Sequence, residues 1–85
     1  MKVEGYYKHH KGNIYQVLCE AIHTETQEKM IVYKALYLNK DGVFGQMFVR
    51  PSTMFFENIE YQGQTVPRFK LLTDAEYSMS TDVYK

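Results

Sequence analysis

Three histidines and one nearby carboxylate are the side chains of this chain whose types could support metal or acid–base chemistry. His9 and His10 are adjacent, so in a strand their side chains point to opposite faces and cannot both bind one ion. His23 and Glu25 lie two residues apart and could share a face, as a metal-assisted hydrolase would require. Metal sites need three or four converging ligands, however, and this stretch supplies two. We therefore expect no bound metal and interpret the histidines as surface, turn or strand-end residues.

Cys19 is the one thiol of the chain and the natural candidate for a nucleophile. A nucleophilic cysteine needs a neighbouring base and an electropositive setting, whereas Cys19 is flanked on its predicted strand face by Val17 and Ala21. Because free cysteine is among the most frequently buried residues, we interpret Cys19 as a core residue. The sequence also lacks a glycine-rich phosphate loop, a Gly-x-Ser-x-Gly elbow and a His-Glu-x-x-His helix. We expect a protein that is not an enzyme and has no cofactor.

Two short segments place an arginine beside a proline and an aromatic residue: FVRP at residues 48–51 and PRF at residues 67–69. The planar guanidinium of arginine binds carboxylate or phosphate through paired hydrogen bonds and also stacks on aromatic rings. If the two segments lie side by side, they form one aromatic and cationic patch with nearby tyrosines. The predicted ligand-binding surface consists of Tyr6, Tyr7, Tyr37, Phe48, Arg50 and Arg68.

A structural role is the alternative explanation of the same two arginines. Each of Arg50 and Arg68 could fix a loop by donating to backbone carbonyls, or pair with Glu57 or Glu60. Arginines next to aromatic residues serve both purposes in proteins. The sequence leaves the two interpretations open, and the side-chain partners of each arginine decide between them.

Composition limits the class of partner. The chain has 85 residues, which corresponds to one domain, and its formal net charge is zero. Proteins that bind duplex nucleic acid usually carry a basic excess, so the balanced charge argues against that function. A single cysteine excludes an intrachain disulfide, and no apolar run has the length of a signal peptide core or a membrane span. We expect a cytoplasmic protein without a membrane partner, and its oligomeric state stays open.

Alternating apolar residues separated by turn residues predict that strands position these side chains. The predicted strands cover residues 5–9, 14–24, 30–38, 43–50, 58–61 and 65–71. In the second strand, Tyr15, Val17, Cys19 and Ala21 form the more apolar side and are predicted to face the core. The third strand is apolar on both sides, which is typical of a central strand, and Pro67 makes the last strand an edge.

Short strands at this spacing predict an all-β fold, a small five-stranded barrel of the Src-homology-3 type, with an oligonucleotide-binding-type barrel as the alternative. Pro51 ends a strand because it has no N–H to donate, and residues 51–56 are predicted to form one helical turn. We assign residues 1–72 to the barrel domain. Thr73 and Glu76 match a helix-capping box, but weak helix formers follow, so residues 73–85 are predicted to be a frayed or disordered polar tail.

Several ordered blocks resemble a known family. They are GYYKHHKGNIYQV at residues 5–17, AIHTET at 21–26, VYKALY at 32–37, VRP at 49–51 with MF at 54–55, and PRF at 67–69. In this order they resemble the small bacterial family catalogued as domain of unknown function 1653, from Gly5 to about Phe69. The resemblance implies a compact barrel of the Src-homology-3 type and no established activity. A tryptophan commonly precedes the VRP block in that family, and this chain has Phe48 there, without an indole N–H donor.

These observations predict a non-catalytic binding module that recognises a peptide or protein segment. An aromatic groove would hold the extended chain, and Arg50 or Arg68 would bind a carboxylate. Single-stranded nucleic-acid binding by stacking on the same tyrosines is the first alternative, although zero net charge disfavours it. A metal-assisted hydrolase that uses His23 and Glu25 is the second alternative.

Overall fold

The computed structural model describes residues 3–82, with the side chains of residues 3–79. Strands are the main elements, and two helices accompany them. The elements are β1 (Gly5–His9), β2 (Ile14–Ile22), β3 (Lys29–Ala35), β4 (Met47–Pro51), α1 (Ser52–Phe55), β5 (Asn58–Tyr61), β6 (Gln64–Pro67), β7 (Phe69–Leu71) and α2 (Asp74–Asp82). The predicted helical turn after Pro51 is confirmed, since α1 begins at the next residue.

Five strands form one antiparallel sheet in the order β4-β3-β2-β1-β7, while β5 and β6 form a separate hairpin. The two edge strands of the sheet, β4 and β7, are not paired with each other. The mostly-β prediction is therefore confirmed, whereas the sheet is not closed into the predicted barrel. The segment predicted as one strand at 65–71 is divided at Arg68, so that Pro67 lies in the hairpin and Phe69 starts a sheet edge.

A β-bulge in β2 corrects the predicted orientation of Cys19. The register with β3 pairs Val17 with Tyr33 but then pairs Cys19 with Val32, so one extra residue is inserted between the two pairs. A bulge shifts the alternation of side chains by one residue. Val17 faces the core as predicted, but Cys19 is exposed and the prediction that it is a core residue is wrong.

Residues that oppose each other across the strands share one face of the sheet. The buried core lies on one face, here called the inner face, and consists of Val3, Tyr7, Val17, Ile31, Tyr33, Phe55 and Phe69. Phe55 on α1 is fully buried, and its ring stacks on that of Phe69 with centroids 4.1 Å apart. The short helix therefore covers one part of the inner face.

The strand predicted at 43–50 starts later than expected. β3 ends at Ala35, β4 begins at Met47, and the intervening loop holds one isolated bridge between Leu38 and Phe44. Gly42 and Gly45 both have φ of 79°, a left-handed conformation that a continuous strand does not tolerate. These glycines explain why strand alternation does not propagate through the segment.

The helix α2 occupies a segment for which the sequence predicted a frayed or disordered tail. The predicted capping box forms, since the N–H of Thr73 donates to Glu76 Oε1 at 3.0 Å and the N–H of Glu76 donates to Thr73 Oγ1 at 3.1 Å. The ring of Tyr77 stacks on Tyr6, with centroids 3.9 Å apart. The remaining residues of the predicted tail, 83–85, lie outside the described residues, and the domain division at residue 72 stays a prediction.

The lengths and the apolar character of the two described helices bear on membrane insertion. Within residues 3–82, neither α1 nor α2 combines the length and apolar character that a membrane-crossing helix needs.

Candidate functional site

The inner face has an open part beside its covered core. Phe48 pairs with Tyr33 and Arg50 pairs with Ile31, so both β4 side chains lie on the face that carries the core. Tyr15 reaches the same face because it pairs with Ala35 across β2 and β3. Unlike the core beneath α1, this part is accessible, and Phe48 is 39% exposed.

An aromatic cluster forms the floor of this open part. The rings of Tyr33 and Phe48 stack with centroids 5.6 Å apart, and Tyr15 meets Tyr33 edge-on at 5.5 Å. The hydroxyl groups of Tyr15 and Tyr37 share a hydrogen bond of 2.8 Å. Burial, followed by this bond with Tyr37, raises the pKa of Tyr15 well above its ordinary value. The bond holds Tyr37 against Tyr15, whose ring centroid lies 6.4 Å from that of Phe48.

Arg50 is held over the cluster without an acidic partner. Its Nε donates to the Tyr33 hydroxyl at 3.3 Å, and its guanidinium carbon lies 5.6 Å from the centre of the Phe69 ring. Among the described residues it forms no ion pair. A half-buried guanidinium with one side-chain hydrogen bond among the described residues keeps donors for an external anion. We call Tyr15, Tyr37, Phe48 and Arg50 the Arg50 surface.

Arg68 makes structural contacts instead. Its guanidinium forms an ion pair with Glu57, one of the two partners that the structural alternative named. The backbone N–H of Arg68 also donates to the Glu57 carbonyl at 3.0 Å, and the Arg68 carbonyl accepts from the N–H of His10 at 3.0 Å. Its Nε is buried without a partner among the described atoms. Arg68 thus joins the β5–β6 hairpin to the sheet.

His9 shows that positive charge concentrates at this end of the sheet. Burial, followed by the charges of His10, Arg50, Lys11 and Arg68, lowers the pKa of His9 to about 4. The His9 ring lies 4.9 Å from that of Phe69, and its Nδ1 accepts the N–H of Lys11 at 3.2 Å. His9 is therefore neutral at pH 7, and the local field is unfavourable for a further cation.

Two of the predicted surface tyrosines lie elsewhere. Tyr7 is 6% exposed and its hydroxyl donates to the Val3 carbonyl at 3.1 Å, so it belongs to the core. Burial raises the pKa of Tyr7. Tyr6 neighbours Tyr7 along the strand, faces the opposite side of the sheet and stacks on Tyr77. The structure brings together Tyr37, Phe48 and Arg50 and separates them from Tyr6 and Tyr7.

Sequence reasoning missed three residues of this region, namely His9, Tyr15 and Tyr33. Tyr15 was predicted to face the core, and alternation placed Tyr33 on one apolar side of its strand. Their contact with Phe48 and Arg50 depends on cross-strand register, which period-two alternation does not reveal. The only available signal in the sequence was that Tyr33 and Tyr37 lie an even number of positions apart, so that alternation places them on the same face of one predicted strand.

The loop that holds His23 has a structural explanation. The Nδ1 atom of His23 accepts the backbone N–H groups of Glu25 at 3.2 Å and Thr26 at 3.4 Å. One ring nitrogen is thus used to shape the turn. Within the described part of the chain, no three His, Cys, Asp or Glu side chains are grouped as metal ligands would be. These contacts give the hydrolase alternative no geometric support.

Comparison with known proteins finds one family that this chain matches. The model of a family described as "Protein of unknown function (DUF1653)" matches residues 5–71. A similar fold is seen in the crystal structure of a protein that belongs to DUF1653, from Bordetella bronchiseptica. The two chains are 31% identical, with a TM-score of 0.73 over 84% of this chain and 87% of the other. No curated protein matches the sequence.

Proposed function

Since this chain belongs to the DUF1653 family, for which no function is known, we propose from its own geometry that it is a non-catalytic binding module for a peptide or protein segment. The segment binds at the Arg50 surface, where the Arg50 guanidinium donates to a carboxylate and the aromatic rings contact apolar side chains. The single observation that carries the proposal is the arginine held at Tyr33 with no carboxylate partner among the described residues.

The fixed position of Arg50 favours binding of an anion. Its bond to the Tyr33 hydroxyl and its position over Phe69 restrict the side chain before any ligand arrives. Less side-chain entropy is then lost on association. A carboxylate gains a charge-assisted bond to the guanidinium, and apolar groups next to it cover Phe48, which is partly exposed.

The adjacent edge strand favours an extended peptide over a compact ligand. The N–H of Ala35 donates to the Gln46 carbonyl at 2.9 Å, which sets the phase of the β3–β4 ladder. By alternation, the backbone groups of Phe48 and Arg50 bond to β3, whereas those of Met47 and Val49 point outward. An extended peptide can bond to these free groups while its side chains reach the Arg50 surface.

Matched peptides test this proposal. Isotope-labelled protein is titrated with short extended peptides of alternating aromatic and small residues, ending either in a free carboxylate or in an amide. We expect amide shifts along β4 and about tenfold tighter binding of the carboxylate form, because a hydrogen bond to a charged group contributes about 1.5 kcal/mol or more. Arg50→Gln should remove that preference.

The control variant is Lys34→Gln, which removes the same charge from the opposite face, where Lys34 pairs with Met47. It should keep the preference for the carboxylate. Titrations in which neither peptide form perturbs β4 would contradict the proposal, as would an unchanged preference in Arg50→Gln.

Single-stranded nucleic acid is the second candidate, because the partly exposed Phe48 beside an arginine also suits base stacking. Short oligothymidylate at two salt concentrations separates the candidates. Salt-sensitive shifts at Phe48 would favour nucleic acid. Peptide shifts without oligonucleotide shifts would favour the first proposal.

A fold of the Src-homology-3 type belongs to the same proposal. In that arrangement the open sheet and the β5–β6 hairpin together form a partly open barrel. The backbone bonds of Arg68 to Glu57 and His10, each 3.0 Å long, support it because they join the hairpin to the sheet. An experimental structure in which the hairpin lies away from β1 would contradict it.

We also propose a cytoplasmic location. The exposed thiol of Cys19 supports it, since exposed free thiols suit a reducing compartment. Fractionation of cells that express the tagged full-length protein tests the location. Recovery in an oxidising compartment would contradict it.

A further inference from the structure

A second concave surface lies where the β5–β6 hairpin meets β1 and β7. This groove has a volume of about 260 Å³. The lining residues that matter here are Lys8, His10, Tyr61, Val66, Pro67 and Lys70. None of the Arg50 surface residues lines the groove, so it is a separate candidate site.

The groove contains two lysines, and only one of them forms an ion pair among the described residues. Lys8 and Lys70 oppose each other directly in the β1–β7 ladder. Like charges in directly opposed positions destabilise a sheet. Lys70 is 3.2 Å from a carboxylate oxygen of Glu76, whereas Lys8 has no ion pair among the described residues. Of the two neighbouring ammonium groups, the described residues therefore supply an ion-pair partner to Lys70 only.

An unsatisfied imidazole lies in the same lining. The Nδ1 atom of His10 is buried and has no hydrogen-bond partner among the described atoms. Buried polar atoms are normally paired, so this nitrogen is an exception. The ring of His10 is fixed by an edge contact with Tyr61, whose centroid is 4.8 Å away. The ring contact thus holds the imidazole in place, and its Nδ1 atom is available for a hydrogen bond.

The remaining walls are mainly apolar. Tyr61 and Val66 belong to the hairpin, and Pro67 closes it with a ring that cannot rotate about φ. A planar apolar group can lie against these side chains while an anionic group next to it reaches the two lysines. The volume of the groove is slightly below the usual range of ligand sites, which suits one ring rather than a long chain.

We propose that this groove binds a small organic anion in which one planar apolar ring carries an anionic head group, either phosphate or carboxylate. Lys8 and Lys70 bind the head group, and Tyr61, Val66 and Pro67 contact the ring. An anion between the two lysines also offsets the repulsion between them. This inference is independent of the peptide-binding proposal, because the two sites use different residues.

Four probe compounds test the groove on isotope-labelled full-length protein: phenyl phosphate, benzoate, inorganic phosphate and benzyl alcohol. We expect saturable shifts of the amides of Lys8, His10 and Val66 with at least one of the aryl anions. Inorganic phosphate and benzyl alcohol should each bind about tenfold more weakly, because each lacks one half of the recognition. The stronger of the two aryl anions identifies the head group.

Charge variants provide the controls. Lys8→Gln should weaken binding of the aryl anion by about threefold to tenfold, whereas Lys29→Gln, which removes an exposed charge from the end of β3, should not change it. Glu76→Gln should strengthen binding, because it releases Lys70. The absence of saturable shifts with both aryl anions would overturn the proposal. So would equal binding of inorganic phosphate, or an unchanged affinity in Lys8→Gln.

Discussion

Arg50 and Arg68 each lie beside a proline and close to Phe69, yet their partners differ. Arg50 donates to the Tyr33 hydroxyl and forms no ion pair among the described residues, whereas Arg68 pairs with Glu57 and is joined to it through the backbone as well. The difference arises from the neighbouring element. β4 is a sheet edge, so the space beside Arg50 is open, while Arg68 lies at the junction of hairpin and sheet. Similar local sequences thus provide an arginine without an ion pair among the described residues in one place and a structural contact in the other.

The largest expected effect comes from the ring next to both arginines. Phe69 is 4% exposed, and Phe69→Ala should lower the free energy of unfolding by about 3–5 kcal/mol, as measured by denaturant unfolding. This is a large share of the stability of a small domain. The matched control is Phe44→Ala, at a ring that is 60% exposed, which should have little effect. Equal stability losses in the two variants would contradict the described core.

The next effect separates the two arginines directly. Arg68→Gln should lower the free energy of unfolding by about 1–2 kcal/mol, because it leaves Glu57 without its partner in a partly buried position. Arg50→Gln should cost less. In double-mutant cycles with Glu57→Gln, Arg68 should show a coupling energy of about 1 kcal/mol and Arg50 none. A coupling energy between Glu57 and Arg50 would contradict the different roles of the two arginines.

A proline substitution in the edge strand β4 tests whether a peptide binds there by strand addition. The N–H of Val49 points away from β3, so Val49→Pro should keep the fold and block pairing with an extended peptide. We expect about tenfold weaker peptide binding, measured by the same titration. Phe48→Pro is the contrasting variant, because it removes a bond to β3 and should destabilise the sheet. Undiminished binding to Val49→Pro would exclude strand addition.

The last prediction concerns His9, whose pKa is lowered by burial and by nearby positive charges that include both arginines. Its pKa is about 4 in the folded protein and 6.5 ordinarily, so the unfolded chain takes up the proton first as pH falls. The contribution of His9 to stability is complete above pH 6.5 and is lost between pH 6.5 and 4. His9→Gln should flatten this part of the stability profile, as measured by denaturant unfolding at several pH values. An unchanged profile in His9→Gln would assign the pH dependence to other groups.

Sequence reasoning located most elements of the fold but not all of their bounds. Pro51 predicted the end of β4 and the helical turn, because its ring removes a backbone donor. Thr73 and Glu76 predicted a capping box, because both bonds lie within one turn. These features depend on residues close together in the chain. The predicted orientation of Cys19 was wrong because the β-bulge depends on how β2 pairs with β3, which neighbouring residues in the sequence do not show.

The candidate site was only partly predictable. Phe48 and Arg50 were recognised from one motif, and alternation alone places both of them on the face opposite to that of Val49. Tyr6 and Tyr7 were included because they are aromatic, but their positions relative to β4 depend on the order of the strands. That order places β1 three positions from β4, with two strands between them.

The sequence alone determined where strands alternate, where turns and Pro51 interrupt them, and that two arginines lie beside aromatic residues. Those properties follow from the conformational preferences of single residues and their near neighbours. Only the tertiary structure decided that Arg68 meets Glu57 while Arg50 remains available. The physical reason is that burial and charge pairing are set by strand register and by elements that are distant along the chain, which no local pattern records.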